Sequence, residues 1–123
     1  MSRLLLVDDD RQLLDLYKLI LEHAGHQVRI AETCDAALIL LVETDPDIVI
    51  ADLHVPEMED GLALLRSLKN YGRPEGHAPL KVIVTSGWPG DLPVAMEKES
   101  VDRVLPKPVR AAVLLRSIAE LGQ

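Results

Sequence analysis

Six polar residues stand where short apolar runs stop. Asp8, Asp9 and Asp10 follow Leu4-Leu5-Leu6-Val7, and Asp52 follows Ile48-Val49-Ile50-Ala51. Thr85 follows Val82-Ile83-Val84, and Lys107 comes just after Val104-Leu105, between Pro106 and Pro108. Carboxylates about 4 Å apart repel by about 4 kcal/mol at an effective dielectric near 20. Grouping Asp8, Asp9 and Asp52 therefore demands protonation or a bound cation. Lys107 can neutralise one of them. An oxygen-preferring divalent ion suits the others, and Mg²⁺ is the ion that binds through few carboxylates while keeping several waters. His23, His26, His54 and His77 show no ligand spacing, and with a single cysteine no zinc set exists. Taken singly, each residue has an ordinary explanation. Asp10 reads as an N-cap, Thr85 as a strand-end hydroxyl, Lys107 as a surface lysine. The weight falls on their joint placement at strand ends.

Positioning them requires an alternation of strands and helices. Leu4 to Val7 reads as a buried strand, and Leu13, Leu14, Leu16, Tyr17, Ile20 and Leu21 recur at helical spacing up to a glycine cap at Gly25. A second strand over 28–31 and a helix over 35–43 follow, the helix with Ala37, Leu40 and Leu41 facing inward. The spacing predicts a third strand over 47–51, a helix over 61–70 carried by Leu62, Leu65 and Leu68, and a turn-rich loop over 71–79. A fourth strand over 82–84, a weak helix over 93–100, a fifth strand at Val104-Leu105 and an amphipathic helix over 109–121 complete the chain. Short apolar strands separated by helices specify an α/β fold with a parallel sheet covered on both faces. Right-handed crossovers favour five strands in the doubly wound order 2-1-3-4-5, with five helices. Ligands in such sheets gather at the carboxyl ends of the strands, near the switch point between strands one and three. Asp8, Asp9, Asp52, Thr85 and Lys107 all fall there.

Composition narrows the function classes. The 123 residues are expected to form one domain over 1–123. Aromatic side chains are only Trp88, Tyr17 and Tyr71, so the core must be aliphatic. Cys34 is alone, which excludes an internal disulfide and fits reducing surroundings. No stretch has the length of a membrane span or the pattern of a secretory leader, so a cytoplasmic protein with no membrane partner is expected. Thirteen basic against 20 acidic residues give a net charge of −7. Such a surface repels phosphate backbones, and no direct nucleic-acid binding is expected.

Val7-Asp8-Asp9-Asp10, Ile50-Ala51-Asp52-Leu53-His54-Val55-Pro56, Val84-Thr85-Ser86-Gly87 and Pro106-Lys107-Pro108 resemble, in order and across nearly the whole chain, the signature segments of response-regulator receiver domains. The resemblance implies a flavodoxin-like fold and a signalling module of two-component or phosphorelay systems rather than an enzyme. Asp52 would be the phosphoacceptor. Mg²⁺ would be held by Asp8, Asp9, Asp52 and the backbone carbonyl of His54, with Asp8 acting mainly through a metal-bound water. Thr85 and Lys107 would contact the phosphoryl oxygens. The donor would be a histidine kinase or histidine phosphotransfer protein, and the output an unknown downstream protein reached by a monomer or weak homodimer.

Three features depart from that pattern. The stretch from Pro56 to Gly61 is one residue longer than usual, Val104 stands where the family commonly has an aromatic residue, and the helix over 93–100 has little to bury. A phosphohydrolase of the haloacid-dehalogenase type also uses a strand-end Asp, but wants a second Asp two residues later, where this chain has His54. A receiver fold with a silent site is a second competing class, and flavin binding, a third, fails on the acidic loop Asp8-Asp9-Asp10-Arg11-Gln12.

Overall fold

Leu4, Leu5, Leu6 and Val7 are all buried in β1 (Arg3–Val7), an interior strand paired on both sides. The computed structural model describes residues 2–54, 58–87 and 101–122. The helix expected over 93–100, Trp88 and residues 55–57 of the loop after Asp52 lie outside the described residues. β1 runs parallel to β2 (Gln27–Ala31) on one side and to β3 (Ile48–Asp52) on the other. β4 (Lys81–Ser86) and β5 (Arg103–Pro106) follow in parallel, so the order is 2-1-3-4-5 as expected.

Among the described residues four helices cover the sheet: α1 (Arg11–His23), α2 (Cys34–Thr44), α3 (Met58–Lys69) and α4 (Ala111–Leu121). Side chains alternate across the strands, which divides the core in two. Leu4, Leu6, Ile48, Ile50, Ile83 and Leu105 pack with Leu14 and Leu21 of α1 and Leu114 and Ile118 of α4. Leu5, Val7, Val49, Ala51, Val82 and Val84 pack with Ala37 and Leu41 of α2 and Leu64, Leu65 and Leu68 of α3. Val104 is half-buried against this second cluster, an ordinary strand residue.

Local chemistry sets the helix ends. The Asp10 carboxylate accepts the Leu13 N–H at 3.2 Å, the N-cap expected of it. The chain leaves α1 through Gly25 at φ +98°, a conformation side chains resist. Thr33 caps α2 by accepting the Ala36 N–H. Some faces differ from expectation. Leu16, placed on the inner stripe of α1, is half-exposed, and Ile39 and Val42 of α2 face outward. His26, expected at the surface, is partly covered, its Nδ1 accepting the Ser2 N–H at 3.0 Å.

The opposite end of the sheet from the acidic strand ends carries a polar network that sequence spacing did not disclose. Arg73 lies in the loop between α3 and β4, with its side chain only 6 % exposed. It donates through Nε to Asp45 Oδ1 at 3.0 Å and through Nη2 to Asp47 Oδ1 at 3.1 Å. The Tyr71 hydroxyl and His77 Nδ1 also meet Asp45. Hydrogen bonding from Arg73 foremost, then from His77 and Tyr71, holds the Asp45 carboxyl down at about 2. A depressed carboxyl pKa stabilises the fold above the ordinary carboxylate range, and that contribution fades as pH falls toward 2. Arg73→Leu removes the first of these partners and should therefore cost on the order of 1 kcal/mol near neutrality, because water screens part of the interaction and His77 and Tyr71 keep their share. In urea titrations the gap to the parent should narrow between about pH 4 and pH 2. A gap independent of pH would assign the cost to packing alone.

Candidate functional site

Strand register builds the site. Val7 pairs with Ala51, Asp52 with Thr85, and Ser86 with Pro106. Extending each strand past its last inward aliphatic residue by two positions gives Asp8 after Leu6, Asp52 after Ile50, Thr85 after Ile83 and Lys107 after Leu105. All four thus share the face of the sheet that packs against α1 and α4. They line, with Asp10, Tyr17, Pro108 and Val109, a cavity of about 370 Å³ opening between α1 and the segment after β5.

Asp8, Asp52 and Thr85 are buried, and Asp9 is exposed beside them. One carboxylate oxygen from each of Asp8, Asp9 and Asp52 lies within 4.8 Å of the others. Lys107 Nζ stands 3.0 Å from Asp52 Oδ2 and 3.3 Å from Asp8 Oδ2, so it meets two carboxylates rather than one. Backbone amides orient the same acids. The Asp10 N–H donates to Asp8 Oδ1 at 2.9 Å, and the His54 N–H donates to Asp52 Oδ1 at 3.2 Å.

Burial pushes the Asp8 carboxyl up from its ordinary value, against the pull of the Asp10 N–H and the Lys107 charge. Burial also works against the Lys107 ammonium, but hydrogen bonding to Asp52 and the charges of Asp8 and Asp52 outweigh it and raise its pKa. Three carboxylates against one ammonium leave two formal negative charges in a small volume. An all-oxygen donor set with surplus negative charge fits a hard divalent cation.

The sequence reading placed Asp8, Asp9, Asp52, Thr85 and Lys107 at one sheet edge, and the structure brings them together there. It missed Tyr17, which was assigned only to the apolar stripe of α1. The Tyr17 hydroxyl donates to the Val109 carbonyl at 2.6 Å, across 92 residues of sequence.

A doubly wound parallel sheet carries an acidic, lysine-bridged pocket at its switch point, and comparison with known proteins says to which class that arrangement belongs. The family model described as "Response regulator receiver domain" matches residues 4–119. The chain is 32 % identical over 120 residues to the sensory/regulatory protein RpfC of Xanthomonas campestris, covering 98 % of this chain but 16 % of that protein. It is 29 % identical over 127 residues to the transcriptional regulatory protein AfsQ1 of Streptomyces coelicolor, covering 100 % of this chain and 53 % of that protein. A CheY-like receiver domain structure from Methylobacillus flagellatus superposes with a TM-score of 0.84 at 27 % identity, covering 98 % of each chain. The chain thus spans about a sixth of RpfC and about half of AfsQ1. It belongs to the response regulator receiver domain family, a signalling family of two-component systems rather than of enzymes in the ordinary sense. A phosphoacceptor role follows from that membership. No helix among the described residues is long and apolar enough to cross a membrane.

Proposed function

We propose that Asp52 is the phosphoacceptor, that Mg²⁺ is the metal of the site, and that residues 1–123 act as one receiver unit in the cytoplasm. The observation that carries this reading is the ion pair of Lys107 with Asp52 and Asp8 inside a group of three convergent carboxylates. Asp8, Asp9, Asp52 and the His54 backbone carbonyl would hold the metal, Asp8 chiefly through a water. Bound there, Mg²⁺ would offset the carboxylate charge and draw phosphoryl oxygens toward Asp52. Asp52 attacks phosphorus through the oxygen facing the incoming group, forming an acyl phosphate as the donor's bond to phosphorus breaks. Lys107 pairs with one phosphoryl oxygen and Thr85 donates a hydrogen bond to another. Phosphoryl transfer needs positioning and charge neutralisation above all. The donor is a histidine kinase or histidine phosphotransfer protein. A small acyl phosphate serves in its place for slow self-phosphorylation, and hydrolysis of the product resets the unit. The output is altered binding of a downstream protein by a monomer or weak homodimer.

Incubation with Mg²⁺ and a small acyl-phosphate donor, followed by intact mass, tests the reading. One added phosphoryl group per chain, dependent on Mg²⁺, is expected. No added mass would favour a silent receiver fold, and steady turnover of phosphomonoesters a hydrolase. Lys107 gives a second test. Its ammonium competes with a cation for Asp8 and Asp52, so Lys107→Ala should bind Mg²⁺ about tenfold more tightly by calorimetry. Weaker binding would contradict the assignment.

A further inference from the structure

We infer that Tyr17 is a positioning residue for Lys107, holding the segment that carries the ammonium against α1. The inference rests on the reading of Asp52 and Lys107 given above and extends it to a residue outside the acidic group. The backbone around Lys107 is tethered on both sides. Its own N–H donates to the Ser86 carbonyl at 2.8 Å, which ties it to the end of β4. Two residues on, the Val109 carbonyl accepts the Tyr17 hydroxyl at 2.6 Å, which ties it to α1. From α1 the tethers return to the same acids. Asp10 caps the helix and donates its own N–H to Asp8, and Asp8 meets Lys107. Tyr17, Val109, Lys107, Asp8, Asp10 and α1 thus form a closed circuit of contacts with the ammonium as one link.

The chemistry of the tether suits a fixed strut. The tyrosine ring packs against the aliphatic cluster beneath α1, which sets its direction. Burial pushes the phenol pKa above its ordinary value, opposed by the Lys107 charge, so the hydroxyl keeps its proton and donates throughout the neutral range. Beside this hydrogen bond and the contact with Asp8, the Lys107 segment meets α1 through Val109, which packs on the cluster that Leu14 and Leu21 join. Removing the hydroxyl leaves the ring in place and leaves the segment after Pro108 held to α1 by the apolar packing of Val109 alone. Nζ then samples positions away from Asp52, and fewer encounters have it in place to receive phosphoryl charge. A misplacement of about 1 Å is costly in such geometry.

Tyr17→Phe should lower the rate of phosphorylation by a small acyl phosphate about fivefold. Mg²⁺ affinity, measured separately by calorimetry, should rise by less than the roughly tenfold expected of Lys107→Ala, because a displaced Nζ competes less with the cation for Asp52 and Asp8. The decisive measurement is a double-mutant cycle with Lys107→Ala. If Tyr17 acts through the ammonium, Tyr17→Phe should have no further effect on the rate once Lys107 is alanine. Equal fold losses in both backgrounds, or a Tyr17→Phe rate equal to the parent, would overturn the inference. A merely structural role would lower the melting temperature in both backgrounds and leave the rate per folded molecule unchanged, which also overturns it. Failure of the underlying reading is separable, because then Lys107→Ala itself would leave the rate untouched.

Discussion

Asp52→Asn will take up no phosphoryl group from Mg²⁺ and a small acyl phosphate, yet will fold. Asparagine keeps the shape of the side chain, and its carbonyl oxygen still accepts the His54 N–H that the carboxylate accepts at 3.2 Å. It lacks the anionic oxygen that the proposed reading has bonding to phosphorus. Stability should not suffer in proportion. Asp52 is one of three carboxylates whose oxygens lie within 4.8 Å, where each pair repels by roughly 3 kcal/mol at an effective dielectric near 20. Losing one charge relieves two such repulsions and forfeits one attraction to Lys107, which keeps Asp8 as partner. The variant should melt at or above the parent temperature without metal, and its Mg²⁺ affinity should drop. Intact mass and a thermal melt check both halves. Added phosphate on the variant would move the acceptor elsewhere, and a large fall in melting temperature would mean that the Asp52 ion pair outweighs the crowding.

Much of this site was legible because a parallel sheet turns sequence period into position. Leu6 and Asp8, Ile50 and Asp52, Ile83 and Thr85, and Leu105 and Lys107 are each two apart, so each polar residue inherits the face of its aliphatic predecessor. The apolar runs were equally plain, although β4 runs to Ser86 and β3 includes Asp52, because ladder pairing continues past the last aliphatic residue. Helix faces were harder. From Ala36 to Val42 the second helix is apolar on all sides, so no period singles out Ile39 and Val42 as the exposed ones. Leu16 looked like a core position by spacing alone, but α1 meets the sheet chiefly through Leu14 and Leu21. Long-range polar pairs left no local trace. Asp45 and Arg73 are 28 residues apart and Tyr17 and Val109 are 92 apart, so neither partner advertises the other by period or by motif.

Gly61→Ala should unfold the domain more readily than any other single methyl added at a described glycine. Helix propensity alone argues the other way, because alanine inside a helix gains about 1 kcal/mol over glycine. Packing reverses the sign. A Cβ on Gly61 would lie 1.7 Å from the Leu53 carbonyl oxygen, 2.5 Å from its carbon and 3.1 Å from its Cα. All three are backbone atoms of the residue directly after Asp52, so no side chain can swing aside. α3 would have to withdraw, or Leu53 would have to leave its place. Leu53 is 1 % exposed and its N–H donates to the Thr85 carbonyl at 3.1 Å, so either movement opens the core and loosens the strand ends that carry Asp52 and Thr85. Overpacking of this kind costs about 3 kcal/mol or more, well beyond the propensity gain. In a domain of this size that is a fall of roughly 10 °C or more in melting temperature. Gly72→Ala supplies the comparison, because nothing lies within 4 Å of the added carbon and its backbone is not left-handed. It should melt within about 3 °C of the parent. If Gly61→Ala melts with it, α3 does not approach Leu53 as closely as the backbone places it. If it melts early and phosphorylation per folded molecule also falls, then the same contact that packs the helix also holds the strand of Asp52 in register.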